Sequence, residues 1–266
     1  MKGFFYGLIV FLLITVIVYG KFHYDQKIAD TVNNSLSSNT VQNEASEGEV
    51  AANEETLDET LEGAEEVFAE KMRSTVGEGE PLTIVVAGSS VINDQEEESF
   101  PALLLKDLQE KYQTDQIKME VVDFKDQTSL DVLDNEEANQ IAALEPDVFI
   151  FAPLVLNDDG LVSMDDTLYS MNDIVQTVEK ENPDVATYIQ PPQPVYENTY
   201  YVDRIEQLQN ETASNDVTYI NHWESWPEAG DEAMDIYFEG SEPTLEGHKR
   251  WADHLFTFFT NQPLDE

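Results

Sequence analysis

The chain has no cysteine and only thirteen lysines and arginines in 266 residues, and both scarcities exclude whole classes of function. Without cysteine there are no disulfides, no thiolate metal sites and no lipid-modified cysteine behind a signal peptide. The few basic residues face 55 aspartates and glutamates, giving a formal charge of -42 at pH 7. Such a charge repels nucleic acid and anionic lipid, so neither is an expected partner. It also strains a compact state by self-repulsion unless cations screen it, which suits either a saline surrounding or simply a very soluble surface. There is no glycine-rich phosphate loop and no histidine-rich zinc pattern, so the residues imply no cofactor and no metal. The acidic pairs Asp158 with Asp159 and Asp165 with Asp166 lack the spacing of a twelve-residue calcium loop and read as solvated surface.

Long hydrophobic runs are also scarce, and the one present lies at the N-terminus. After Lys2, residues 4–20 (FFYGLIVFLLITVIVYG) form an uncharged apolar run at the short end of what crosses a bilayer as a helix. The run is long for the core of a signal peptide, the alternative reading, and no obvious small-x-small cleavage pattern follows it, so it reads as an uncleaved anchor behind a three-residue cytoplasmic head (1–3). The expected location is the cell membrane, single-pass, with the acidic C-terminal body extracytoplasmic. Residues 21–80 read as an acidic, mostly disordered stalk, poor in aromatic residues after Tyr24. Within it, 55–72 places Leu57, Leu61, Ala64, Val67 and Phe68 at helical spacing, which fits a frayed, solvated helix or one docked on the domain.

From residue 81 the pattern changes. Short apolar runs at 82–87, 119–124, 148–151, 186–190 and 217–220 alternate with helical patterns near 99–112, 135–144, 166–181, 198–212 and 244–260. This alternation predicts an α/β domain over 81–266 with a five-stranded parallel sheet covered on both faces. In such a sheet the segments following each strand gather at one edge and build the site. The first of them follows the run LTIVVAGSS (82–90), which stops at Gly88, Ser89 and Ser90 and displays a hydroxyl at that edge.

Three blocks carry a resemblance. VVAGSS (85–90) resembles the first block of the SGNH or GDSL-type hydrolases, with Ser90 at the nucleophile. DVFIFAPLVLND (147–158) resembles the block in which a strand leads into Asn-Asp, with Asn157 at the oxyanion asparagine. FEGSEPTLEGHKRWADHL (238–255) resembles the last block, which precedes Gly-His and the final helix. The resemblance covers about 81–262. It implies a three-layer α/β/α sandwich of flavodoxin-like type and hydrolysis of a small ester or of an O-acyl group on a cell-surface glycan. Ser90 would attack, while Asn157 and the backbone N–H groups of Ser90 and Asp126 would hold the oxyanion. Asp126, in VVDFKDQTS (121–129), falls where the family has glycine. Glu239 and Glu242 fall where it has its acid and its base.

A serine hydroxyl needs a neighbouring base to become a good nucleophile. The candidates here are His222 in INHWESWP, His248 in EGHKRW, and Glu242 if its carboxyl is raised by burial or by Glu239. His254 lies further along the last helix. Replacement of the acid, the base and the glycine in one chain also fits a weakened or inactive surface binding protein of the same fold. Trp223, Trp226 and the Pro-rich 191–194 fit either an aromatic platform for substrate or ordinary loop packing.

Overall fold

The computed structural model describes residues 57–195, 199–228 and 231–263. The apolar run 4–20 and the stalk up to residue 56 lie outside them. Among the described residues, no helix is long and apolar enough to cross a membrane.

The β-branched runs pair as expected. Strands β1 (Leu82–Gly88), β2 (Ile117–Asp123), β3 (Val148–Phe151), β4 (Ala186–Ile189) and β5 (Thr218–Tyr219) form one parallel sheet in the order β2-β1-β3-β4-β5. The central strands β1 and β3 are buried on both faces, which is why they read as unbroken apolar runs rather than alternating ones.

Each face of the sheet is covered. Ile84, Val86, Val148, Ile150 and Tyr188 point to the layer that holds α1 (Glu66–Ser74), α2 (Phe100–Tyr112) and α7 (Leu245–Thr260). Val85, Ala87, Phe149, Phe151 and Ile189 point to the opposite layer, made by α3 (Ser129–Asp134), α4 (Glu137–Ala142), α5 (Met164–Glu181) and α6 (Thr199–Ser214). The helical pattern expected at 135–144 corresponds to α4 alone, and the short α3 before it was not expected; the two are separated where Glu136 takes a left-handed backbone (φ 54). A two-stranded antiparallel hairpin, β6 (Phe238–Glu239) with β7 (Glu242–Pro243), precedes α7.

The expected stalk boundary at residue 81 does not match the packing. Leu61, Phe68 and Met72 are buried in the α2–α7 layer, and the Phe68 ring lies 4.9 Å from Phe259. The α1 N-cap Glu65 accepts from its own helix, at Phe68 N, and from the Tyr188 hydroxyl at 2.6 Å. Residues 57–80 therefore belong to the packed body, of the two alternatives open for 55–72.

Candidate active site

Ser90 opens a single 3-10 turn, Ser90–Ile92, immediately after β1, and the preceding Ser89 is extended (φ -71, ψ 171). Gly88 makes this exit possible. A Cβ there would press on Ile92 Cγ2 at 3.0 Å and on the Ala152 carbonyl oxygen at 3.3 Å, so the close approach of the β1 and β3 ends favours glycine. The Ser90 side chain is partly exposed, and its hydroxyl has no hydrogen-bond partner among the described residues.

The loop after β2 lies beside this turn. Gly88 pairs with Asp123, and Phe124 N–H donates to the Gly88 carbonyl at 2.9 Å. Asn157 Nδ2 donates to the carbonyls of Lys125 (3.1 Å) and Gln127 (3.0 Å), which uses both of its hydrogens. Asn157 thus clamps the β2 loop and presents no free N–H to an oxyanion. Its neighbour Asp158 is fully buried and completes the clamp: it accepts from Ser129 N at 2.8 Å, Ser129 Oγ at 2.6 Å and Thr167 Oγ1 at 2.5 Å. The N–H groups of Ser90 and Asp126 make no hydrogen bond among the described residues, so both remain available as donors at the shared edge.

Neither histidine proposed as the base is free to act. His222 is fully buried and stacks on Trp251 at 4.3 Å. Its Nδ1 accepts from Trp226 Nε1 at 2.9 Å, so Nε2 carries the proton and donates to the Pro191 carbonyl at 2.8 Å. Burial pushes its pKa down to about 3. His248 is equally buried. Its Nδ1 accepts the Phe100 N–H at 3.1 Å and its Nε2–H donates to Asp94 Oδ1 at 2.7 Å. Burial lowers its pKa against the pull of Asp94. Both imidazoles have both ring nitrogens engaged within the packed body, so neither presents a free nitrogen to Ser90. His254 is half-buried on α7 and is also lowered by burial, against Glu224.

Glu239 and Glu242 face each other across the exposed hairpin, and neither carboxylate is bonded among the described residues. Both side chains are exposed to solvent. The hairpin nevertheless sits at the functional edge. Its tip is held by Gln193 Nε2 donating to the Ser241 carbonyl at 3.1 Å, and Gln193 follows β4. Just beyond the hairpin, His248 ties the first turn of α7 to Asp94, four residues after Ser90. Gly247 permits the approach, since a Cβ there would collide with the Tyr237 carbonyl oxygen.

The aromatic platform is not assembled. Trp226 and residues 191–194 are buried, and the partly buried Trp223 donates to the Pro192 carbonyl at 2.7 Å. The acidic pair Asp165 and Asp166 belongs to the first turn of α5, where Ser163 caps Asp166 N. No group of three or more His, Asp or Glu side chains among the described residues is arranged to hold a metal ion.

No protein-family model matches the chain, and no curated protein matches it in sequence. Solved structures do. A G-D-S-L family protein from Desulfitobacterium hafniense DCB-2 superposes with a TM-score of 0.54 at 18% identity, over 66% of this chain and 98% of its own. A GDSL-like protein from Parabacteroides merdae ATCC 43184 gives 0.58 at 13%, over 68% and 95%. The fold is that of the SGNH/GDSL hydrolases. A family 3 carbohydrate esterase from Talaromyces cellulolyticus shares it, with a TM-score of 0.55 at 13% identity over 66% of this chain and 94% of its own.

Within this SGNH/GDSL frame, Ser90, Asp126 and Asn157 lie in the segments that follow β1, β2 and β3, and the tip of the glutamate hairpin is tied to the segment after β4. Sequence reasoning missed Lys125, which carries the left-handed backbone (φ 58) next to the expected glycine position Asp126. It also missed Asp94 as the partner of His248. No local signal announces either, because both depend on how distant segments meet.

Proposed function

We propose that the chain is an ester hydrolase of SGNH/GDSL type, tethered to a membrane through residues 4–20 with its domain outside the cytoplasm. It would act on a small ester or an O-acyl group of a surface glycan. The observation that carries this reading is the exit of β1: Ser90 is displayed there with an unbonded hydroxyl, and among the described residues its own N–H and that of Asp126, on the loop after the neighbouring strand β2, are unbonded backbone donors. Ser90 Oγ attacks the ester carbonyl, and the two N–H groups receive the developing oxyanion. With both buried histidines engaged elsewhere, Glu242 is the acceptor left at the hairpin. The carbohydrate esterase that shares the fold supports an acylated glycan as substrate class.

The test is turnover of short-chain aryl esters by the full chain and by Ser90→Ala. The wild-type rate is expected to exceed spontaneous hydrolysis and Ser90→Ala to fall to it. Equal rates in the two proteins would remove Ser90 as nucleophile.

The locked state of His222 and His248 favours a second reading, an inactive binding protein that keeps the fold. A fluorophosphonate probe separates the two. Labelling at Ser90 requires an activated hydroxyl and counts against the inactive form.

A further inference from the structure

Lys125 stands alone at the functional edge. In the segments 88–99, 124–128, 152–163, 190–195 and 221–244, which follow the five strands and reach the last helix, it is the sole lysine or arginine; the remaining charged side chains there are acidic. An ammonium amid so many carboxylates is expected to pair with one. Yet among the described residues the Lys125 side chain makes neither an ion pair nor a hydrogen bond.

Its backbone is unusual too. With φ at 58, Lys125 occupies the left-handed region, where a residue with a Cβ is strained and glycine is not. The conformation is held from both sides. The Lys125 N–H donates to Asp123 Oδ1 at 2.6 Å, and its carbonyl accepts from Asn157 Nδ2 at 3.1 Å. A strained residue over-determined by its surroundings is a reason to ask what the side chain does.

The register locates it. Gly88 and Asp123 are paired across adjacent parallel strands, and Ser90 and Lys125 each lie two residues further on. The strands these two segments leave run about 5 Å apart, a distance that an extended lysine side chain spans. Attack on an ester places a full negative charge on the carbonyl oxygen at this corner. The rim of carboxylates, Asp126 among them, opposes that charge, and Asn157 has no hydrogen left to offset it.

We propose that the Lys125 ammonium is the charge that stabilises the tetrahedral oxyanion formed on Ser90, in place of the Asn157 amide. This rests on the hydrolase reading above. In the step concerned, the Ser90 Oγ–carbon bond forms as the carbonyl π pair moves onto oxygen. The hydroxyl proton passes to the Glu242 carboxylate, and Lys125 faces the resulting oxyanion. Removing one donor from such a site costs about 100-fold or more in turnover.

The experiment compares the full chain with Lys125→Met, Lys125→Arg and Lys125→Gly, using a neutral short-chain aryl ester and phenylboronic acid. The boronate forms a tetrahedral anion on a serine oxygen without turnover and is followed by boron NMR. Lys125→Met is expected to lower kcat about 100-fold with little change in KM, and Lys125→Arg to recover most of the loss. Lys125→Gly is expected to lower kcat equally while raising the thermal midpoint, because glycine relieves the left-handed strain. A residue kept only for structure would not lower kcat while the fold becomes more stable. If esters are not turned over but boronate binds and weakens about 100-fold in Lys125→Met, the charge assignment stands and the hydrolase reading falls. Unchanged kcat in Lys125→Met, boronate binding indifferent to that substitution, or neither turnover nor boronate binding each overturn the assignment.

Discussion

His222 is neutral because of where it sits, and its neutrality ties stability to pH. In the folded chain it lies between Trp251 and Trp226 with both nitrogens bonded, and its pKa falls from 6.5 to about 3. Unfolded, it takes up a proton below about pH 6.5. The unfolded state then binds more protons than the folded one, so the contribution is fully present above pH 6.5 and is lost as pH falls toward 3. Its slope is at most about 1.4 kcal/mol per pH unit. His248 and His254 are lowered as well and act with the same sign. His222→Gln keeps a donor and an acceptor but cannot titrate. It is expected to be less stable at pH 7 and to lose stability less steeply between pH 6.5 and 5, as measured by urea unfolding at each pH. Parallel slopes in the two proteins would mean that His222 is not the titrating group. Ser90 and Gly88 were legible in the sequence because a strand ending in Gly-Ser is a local signal. The histidine roles were not, since a neutral packing imidazole and a catalytic one differ in neighbours drawn largely from distant segments: Pro191 and Trp251 for His222, Phe100 and Asp94 for His248.

Among the elements, α1 shows where local pattern stops being sufficient. The apolar spacing of Leu61 and Phe68 suits a helix whether or not anything receives it, and the acidic residues around it argue for solvent. What decides is the groove lined by Phe259 and Tyr112, whose ring centroids lie 4.9 Å and 6.1 Å from that of Phe68. That groove exists only once α2 and α7 have packed on the sheet. The five strands were legible because burial on both faces leaves an unbroken apolar run in the sequence, and their bounds shift by no more than two residues in the structure. Phe68→Ala would leave a cavity at a fully buried site and is expected to cost about 3–5 kcal/mol in urea unfolding. A loss below about 1 kcal/mol would mean that α1 is a surface appendage and that the domain does begin near residue 81.

For the whole molecule the governing quantity is charge. A formal net charge of -42 is countered by few ion pairs. Among the described residues, Arg73 with Asp58, Lys180 with Glu181 and Lys249 with Glu246 are all at the surface, where each pair contributes little. Self-repulsion between carboxylates is therefore a standing term against the folded state, and it acts through water over the Debye length. Raising monovalent salt from about 0.01 M to about 1 M shortens that length from about 30 Å to about 3 Å. Stability at pH 7 is expected to rise steadily across this range, and sodium and potassium should act alike, because screening does not distinguish them. Calcium chloride at matched ionic strength should do about as well, since the Debye length is set by ionic strength. Thermal midpoints in the three salts decide the matter. A flat profile would show that repulsion is offset within the fold, and a rise confined to calcium would point to specific sites rather than screening. Salt is also expected to weaken the opposition of the acidic rim to the oxyanion at Ser90. Turnover of a neutral ester should then increase with salt most strongly in Lys125→Met, where the lysine charge no longer counters the rim.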